Sequence, residues 1–425
     1  MQPQSSPASQ GLQYSLKAWE EAAAGRAGGA LQLASFELGR TIGQGRFARV
    51  RVAKLPGHGN IPLCLKILKK KDMCRLGQVE HVINEKNVLA TTKHPLIIQL
   101  LETFQDPQRL YMALELVNGG ELFNLLRSEK RFRPPKARFY IAEVASAIDH
   151  LHEMLIVYRD IKPENILIHH SGHIKLTDFG FAKFLKGQRT YTVCGTPAYM
   201  APDIIRGKGY SLPVDWWAVG ILLYELLSGR PPFDAAEEEE IFRLVARGHV
   251  LYPPAMERDA KDLIVRLLLP DPSRRLGGRD SAAGSVQGHA FFAAIDWEEA
   301  GAGRLEPPWL PQVQDPAADT SLFDHFEEST EGAVDSCTAS SLLAPEAELG
   351  ELFAAWQERL DFRADALALV AELRRQREQR QAAREAERQQ EPEEALADSR
   401  VAATAPPPEP RKAQRPQCQP CCTAQ

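Results

Sequence analysis

Between Phe36 and Leu68 short runs alternate apolar and polar residues, and from Pro134 onward apolar residues recur every three to four positions. The first pattern predicts half-buried strands and the second amphipathic helices. Strands are expected over Phe36–Thr41 and Arg49–Ala53, either side of a glycine-containing turn, and over Pro62–Leu68. Pro134 and Pro135 open a helix whose apolar face is Ile141, Val144, Ala145, Ile148 and Leu151. Val214–Ser228 is apolar nearly all round and stops at Gly229, which predicts a core helix. Ile166–Ile168 and Ile174–Leu176 read as two short strands around a Ser171-Gly172 turn. The expected fold is α+β: a small β-rich lobe followed by a larger helical one.

Composition divides the chain into five parts. Residues 1–35 are rich in Ala, Gly, Ser and Gln and are expected to be weakly ordered, with Trp19 anchoring one short helix. Residues 36–292 are the globular domain. Residues 293–356 form a tail that begins as the Pro-rich stretch EPPWLPQVQDPAADTSLF. Residues 357–400 read as a charged helical extension, and 401–425 as a disordered Pro- and Cys-containing end. A length of 425 residues suits one two-lobed enzyme with tails, or two to three small domains.

The net charge of −5 argues against a nucleic-acid partner. Seven cysteines show neither disulfide nor zinc spacing, so a reducing compartment is expected: the cytoplasm, with the nucleus as the alternative. The N-terminus lacks a signal pattern, and Gln2 excludes N-myristoylation. The longest apolar run, Trp216–Tyr224, is cut by Glu225 and is too short to span a bilayer.

The chemistry begins at Gly43-Gln44-Gly45-Arg46-Phe47-Ala48-Arg49-Val50. Glycines let backbone amides approach phosphate oxygens. A dinucleotide fold needs a helix after them; here Val50-Arg51-Val52 alternates as a strand, leaving a phosphate-covering hairpin or an ordinary tight turn. Lys66 sits in the apolar strand Leu63–Leu68, either as a snorkelling edge residue or as a buried charge needing a carboxylate, for which Glu85 is the candidate. Tyr158–Asn165 packs polar groups into one loop, and Asp178-Phe179-Gly180 follows the next hairpin. Phosphoryl transfer to a hydroxyl needs a metal, a lysine on the phosphates and a proton acceptor. Asn165 and Asp178 offer oxygens suited to Mg²⁺, Asp160 can accept the proton, and Lys162 can neutralise the moving phosphoryl group.

With the Gly-rich loop, LCLK, YRDIKPEN, DFG and GTPAYMAPD in this order, the chain resembles a eukaryotic protein kinase over about residues 36–297. The resemblance implies a bilobal fold with ATP and Mg²⁺ in the cleft. It assigns Lys66 to the α/β-phosphates, Glu85 to an ion pair with it, Asp160 as base, and Asn165 and Asp178 as metal ligands. The tail DTSLFDHFEE and VDWWAVGILLYELLSGRPPF narrow the likeness to the AGC group, similar to cAMP-dependent protein kinase catalytic subunits and the X-linked-type kinases. By that resemblance Val50, Cys64, Glu115, Val117, Leu167 and Thr177 line the nucleotide, Glu121 and Glu164 border it, and Phe323 of the tail covers the adenine.

The same resemblance makes Thr192 an activating phosphosite, clamped by Arg159, Lys183 and His81 and filled by an activating kinase or by autophosphorylation. It makes Glu121, Glu164 and Glu225 the acceptors of basic residues preceding the target, so substrates of Arg-Arg-x-Ser/Thr type are expected. A cAMP-binding regulatory subunit is the implied partner in trans. Departures exist: Ala48, Cys64, Ala198 and Asp203 stand where the family has Gly, Ala, Glu and Glu, and Tyr191 stands where a tryptophan docks the regulatory subunit. Asp203 is expected to reach Arg275 despite its shorter side chain. Phe353 and Trp356 resemble an aromatic pair that closes onto the small lobe, although here the chain continues beyond them. The terminal Cys422-Thr-Ala-Gln has the form of a prenylation box, with a plain disordered tail as the alternative. Three readings remain: an active kinase controlled in trans, a non-catalytic scaffold of the same fold, and a membrane-recruited kinase.

Overall fold

A computed structural model describes Trp19, residues 31–45, 48–56, 62–185, 188–278, 284–315 and 319–328, Phe353, Trp356, and residues 371, 372 and 375. Arg46, Phe47, most of the 357–400 extension and the 401–425 tail with Cys422 lie outside the described residues. The last three described residues belong to a separate C-terminal unit, in which Arg375 pairs with Glu372 at 2.7 Å.

Strands β1 (Glu37–Gln44), β2 (Ala48–Lys54), β3 (Pro62–Lys69), β4 (Leu100–Gln105) and β5 (Arg109–Glu115) form one antiparallel sheet in the order β1-β2-β3-β5-β4. β1 runs past its expected end, because Gly43 and Gln44 pair with Val50 and Arg49, and the Gly45 amide donates to Ala48 O at 2.8 Å. The glycine segment is therefore a hairpin, as the alternation of Val50-Arg51-Val52 requires. Period-two alternation sorts the side chains of β3. Leu63, Leu65 and Ile67 join Phe36, Phe104 and Tyr111 in an outer apolar cluster, while Cys64 and Leu68 enter the main core. Lys66 shares that inner face, so the sheet aims it into the molecule. Trp19 is buried in the outer cluster, packed against the small lobe.

Helices α1 (Lys70–Arg75) and α2 (Val79–Thr91) cross the inner side of the sheet. The large lobe contains α3 (Leu122–Glu129), α4 (Pro134–Glu153), α5 (Pro202–Ile205), α6 (Pro213–Ser228), α7 (Glu238–Arg247), α8 (Arg258–Leu267) and α9 (Trp297–Gly301). Every residue of α6 from Val214 to Leu226 is buried, with α4 and α8 packed against it. It ends at Gly229, whose φ of +86° is left-handed; a Cβ there would sit 2.3 Å from Lys130 O. Short antiparallel pairs β6 (Ile156–Val157) with β9 (Lys183–Phe184), and β7 (Ile166–Ile168) with β8 (Ile174–Leu176), bring the polar loops to the cleft. No helix among the described residues is long and apolar enough to cross a membrane.

Two departures from the family pattern resolve here. Asp203 does reach Arg275, at 2.8 Å, and the buried guanidinium also donates to Leu269 O and Pro213 O. Phe353 and Trp356 do dock: both are buried, Trp356 Nε1 donates to Phe104 O at 3.1 Å, and Gln105 Nε2 donates to Phe353 O at 3.1 Å. Truncating a fully buried aromatic costs about 3–5 kcal/mol when the site cannot collapse. Phe353→Ala and Trp356→Ala are each expected to lower the unfolding free energy by about 3 kcal/mol in urea titrations followed by tryptophan-independent far-UV dichroism. An unchanged midpoint in both would contradict the docking.

Candidate active site

The loop between β6 and β7 owes its shape to one carboxylate. Asp215 in α6 is completely buried, and it accepts from Tyr158 N at 2.9 Å, from Arg159 N at 2.8 Å and from His152 Nε2 at 2.8 Å. Held at two successive amides, the backbone adopts φ +72° at Arg159, a left-handed value that L-residues with side chains avoid. The turn presents Asp160 to the cleft.

Asp160 is 2% exposed and saturated with donors. Its Oδ2 accepts from Asn165 Nδ2 at 2.7 Å and from Lys162 Nζ at 2.9 Å, and its Oδ1 from Thr196 Oγ1 at 2.8 Å. Lys162 also donates to Thr196 Oγ1 at 3.0 Å. An aliphatic hydroxyl thus already lies against the carboxylate, in the relation a Ser or Thr substrate would take. Asn165 spends its amide hydrogens on Asp160, which leaves its carbonyl oxygen for a hard cation.

Asp178 follows β8 with φ +53°, exposed to the cleft, and Gly180 N donates to its Oδ1 at 3.3 Å. Phe179 is buried edge-to-face against Tyr158, with ring centroids 5.1 Å apart, which fixes the direction of the aspartate before it. Lys66 is a paired inward charge and no snorkelling residue: its Nζ donates to Glu85 Oε1 of α2 at 2.6 Å. Burial works to lower the Lys66 pKa, and the carboxylates of Glu85 and Asp178 overcome it and hold the ammonium above its ordinary value.

The wall of the cleft comes from Val50, Cys64, Leu167 and Thr177, all buried or half-buried. Burial pushes the Cys64 thiol up to about 12, so it is an apolar spacer rather than a nucleophile. The Glu115 carboxylate points away, bonded to Lys175 Nζ at 2.7 and 3.0 Å and to Gln99 N at 2.8 Å. Only the backbone of Glu115 remains for an adenine, alongside Val117 two residues on. Gly119 N then donates to Ile168 O at 2.7 Å, an approach so close that a Cβ on Gly119 would lie 2.4 Å from that oxygen. This seam sets Glu121 beside Leu167. The tail crosses here: Asn118 Nδ2 donates to Asp319 O at 3.2 Å, and Arg40 donates to Thr320 Oγ1 at 2.7 Å and Phe323 O at 3.1 Å, with Phe323 half-buried against the core.

Glu121, Glu164 and Glu225 come together electrostatically. Burial raises the pKa of Glu121, and Glu164 and Asp324 raise it further. Burial also raises Glu225; Tyr199, whose hydroxyl donates to it, opposes this, while Glu164 adds to it. Around Thr192, which is exposed, Tyr210 Oη bridges the Thr192 carbonyl at 2.5 Å and Arg159 Nη1 at 3.1 Å. His81 stands at Phe181, ring centroids 6.2 Å apart, and Arg159 Nε donates to Phe181 O at 2.5 Å. Lys183, in β9, is half-buried on the same segment.

Sequence reasoning missed Asp215, Thr196 and Lys175. Asp215 had a visible signal, an acidic residue beside the two tryptophans of an otherwise apolar helix. Lys175 had a weaker one, a lysine inside the strand Ile174–Leu176. Thr196 had none beyond its motif.

A lysine–glutamate pair, a loop aspartate with lysine and asparagine on it, and a second aspartate at the cleft make a phosphotransferase site. Residues 36–292 match the family model "Protein kinase domain". The chain belongs to the protein kinase family. It is 44% identical over 304 residues to a cAMP-dependent protein kinase catalytic subunit of the fungus Arthrobotrys oligospora, covering 71% of this chain and 58% of that protein. It is 42% identical to the yeast cAMP-dependent protein kinase type 3 over 71% of this chain and 75% of that one. Against the human cAMP-dependent protein kinase catalytic subunit PRKX it is 44% identical over 70% and 82%. Within its family, the chain is a serine/threonine protein kinase of the cAMP-dependent catalytic-subunit type, a class that uses ATP and Mg²⁺.

Glu85→Gln removes the charge that fixes Lys66. A kcat/KM about 10- to 100-fold lower is expected, roughly 1.4–2.7 kcal/mol of transition-state stabilisation, read from initial rates with ATP varied. Rates equal to the parent chain's would contradict the pairing.

Proposed function

We propose that this kinase phosphorylates Ser and Thr residues preceded by arginines, after Thr192 is itself phosphorylated. The observation that carries the reading is the convergence of Glu121, Glu164 and Glu225: burial raises the pKa of Glu121 and of Glu225, and the charge of Glu164 raises both further. Arg127 opposes this at Glu225 without cancelling it, so the like charges are relieved by a cationic ligand, and arginine forks match carboxylates in geometry.

In this mechanism Asp160 accepts the hydroxyl proton of the substrate, in the position where it accepts from Thr196. Lys162, 2.9 Å from Asp160, offsets the charge of the moving phosphoryl group. Lys66, oriented by Glu85, holds the α/β-phosphates of ATP, and the backbone of Gly43, Gln44, Gly45, Ala48 and Val50 covers them. Asn165 and Asp178 would provide oxygens to hold Mg²⁺, which when bound would supply charge neutralisation at the phosphates. The wall from Val50 to Phe323 excludes water from the base. Arg159, Lys183 and His81 receive the phosphate on Thr192, which orders the segment between Phe181 and Tyr210.

Control in trans by a cAMP-binding regulatory subunit fits the catalytic-subunit relatives; a cytoplasmic location, with the nucleus as the alternative, rests on the spacing of the cysteines alone. Lipidation at Cys422 would instead place the kinase on membranes, and Cys422→Ser would then move it to the soluble fraction.

An arrayed peptide library with fixed Ser or Thr and each preceding position varied tests the proposal, with Asp160→Ala as control. Arginine two and three residues before the target is expected to dominate. Asp160→Ala should lose about 10²–10⁴ in kcat. A preference for acidic or apolar residues at those positions would overturn the substrate assignment. The raised pKa values add a pH test. Glu121 and Glu225 take up protons earlier on acidification than ordinary glutamates and lose the charge that pairs with arginine. The KM for an Arg-Arg peptide should rise as pH falls from about 7 toward 5, while an arginine-free peptide keeps a flat KM; parallel profiles would contradict it.

A further inference from the structure

We infer that Tyr191 is a phosphotyrosine site whose phosphate is received by a cationic cavity beside Gly209 and Tyr210. The cavity, of ≈270 Å³, is lined by Arg189, Arg206, Lys208, Gly209 and Tyr210 among others. Its one carboxylate, Asp203, is already bound to the buried Arg275 at 2.8 Å. Three cations therefore face the cavity in excess. Arg206 and Lys208 are exposed, and the guanidinium of Arg189 makes only a long donation, 3.4 Å, to Gly209 O. An uncompensated cluster of this kind is an anion site in search of its anion.

Tyr191 does not itself line the cavity, but its ring lies against Gly209, which does. The preceding residue, Thr190, forms a bridge with Tyr210 through two backbone hydrogen bonds, 3.0 and 2.9 Å. That bridge lays the tyrosine ring across Gly209: Cε1, Cζ and Oη lie 2.7, 2.9 and 3.2 Å from where a Gly209 Cβ would be. The φ of +78° and the ring together reserve this position for glycine. Tyr191 is 65% exposed and is the one exposed tyrosine among the described residues; the others are buried or half-buried. An acceptor hydroxyl that another enzyme can reach thus stands beside a preformed set of phosphate ligands. The cluster draws on cations other than Arg159, Lys183 and His81, and of the groups around Thr192 it shares Tyr210.

The modification takes its phosphoryl group from ATP through a tyrosine-directed kinase. The Tyr191 phenol oxygen bonds to the γ-phosphorus, the bond from that phosphorus to the ADP oxygen breaks, and the phenol proton passes to the modifying enzyme's base. The added group carries roughly −1.5 to −2 charge at neutral pH. Bound by Arg206, Lys208 and Arg189, it ties the segment to the loop following α5.

Two measurements test this on the full chain. First, after incubation with a broad-specificity tyrosine-directed kinase and ATP, phosphotyrosine at residue 191 is read by peptide mass spectrometry, and total phosphotyrosine should fall in Tyr191→Phe; no modification at 191, or equal phosphotyrosine in both chains, overturns the acceptor assignment. Second, phosphotyrosine is installed at position 191 during translation and its ³¹P resonance is titrated. Its second ionisation, about 6 when free, should fall by roughly one unit in the folded chain. It should return toward the free value in Arg206→Ala/Lys208→Ala, and partly so in Arg189→Gln, which serves if the double variant fails to fold. A midpoint equal to that of a free phosphotyrosine peptide, or one unmoved by the substitutions, overturns the cavity assignment.

Discussion

The buried carboxylate of Asp215 is the constraint from which the rest of the active site follows. A charge without water must find donors for its oxygens, and desolvated carboxylates tolerate no vacancy. Asp215 takes two consecutive backbone amides and one imidazole. Two adjacent amides can point at one group only if the chain turns sharply, and the left-handed φ of Arg159 is that turn. Backbone strain of this sort persists where its surroundings over-determine it. The turn sends Tyr158 into the core beneath Phe179, Arg159 toward Phe181, and Asp160 into the cleft.

Around that fixed point, opposite charges are distributed so that each carboxylate has a defined partner. Lys162 sits on Asp160, Lys66 on Glu85, and Lys175 on Glu115. The third pair has a structural consequence for the nucleotide. It ties β8, which leads to Asp178, to the end of β5, where the base would bind. The strand leading to Asp178 and the end of β5 are therefore joined through a buried ion pair, and losing one partner would strand the other charge. The acidic trio differs: Arg127 opposes the raised pKa of Glu225 without cancelling it, and this contrast within one cleft supports the proposed cationic ligand.

Much of this was legible in the sequence, for identifiable reasons. The hairpin form of the glycine loop followed from the alternation after it, and the buried helix Val214–Ser228 from apolar residues bounded by Gly229. Lys66 was ambiguous because strand alternation decides only which face a residue takes; the ion pair with Glu85 depends on how α2 lies across the sheet. Glu115 was legible as a position but its side chain was not, because its partner Lys175 is 60 residues away in another lobe. The docking of Phe353 and Trp356 was undecided in the sequence, since the chain continues past them, and was settled by packing and by hydrogen bonds to β4. Asp215 carries no chemistry of its own toward a substrate, so a search for reactive groups passed over it.

Replacing Asp215 by Asn tests the account most directly. The amide keeps the size of the side chain, removes its charge, and offers one acceptor where two were used. The account predicts that kcat for an Arg-Arg peptide falls by about 10²-fold, as for catalytic groups displaced by an ångström, while the KM for ATP stays close to that of the parent and the chain remains folded by circular dichroism. An Asp215→Asn enzyme with the parent's kcat would contradict it.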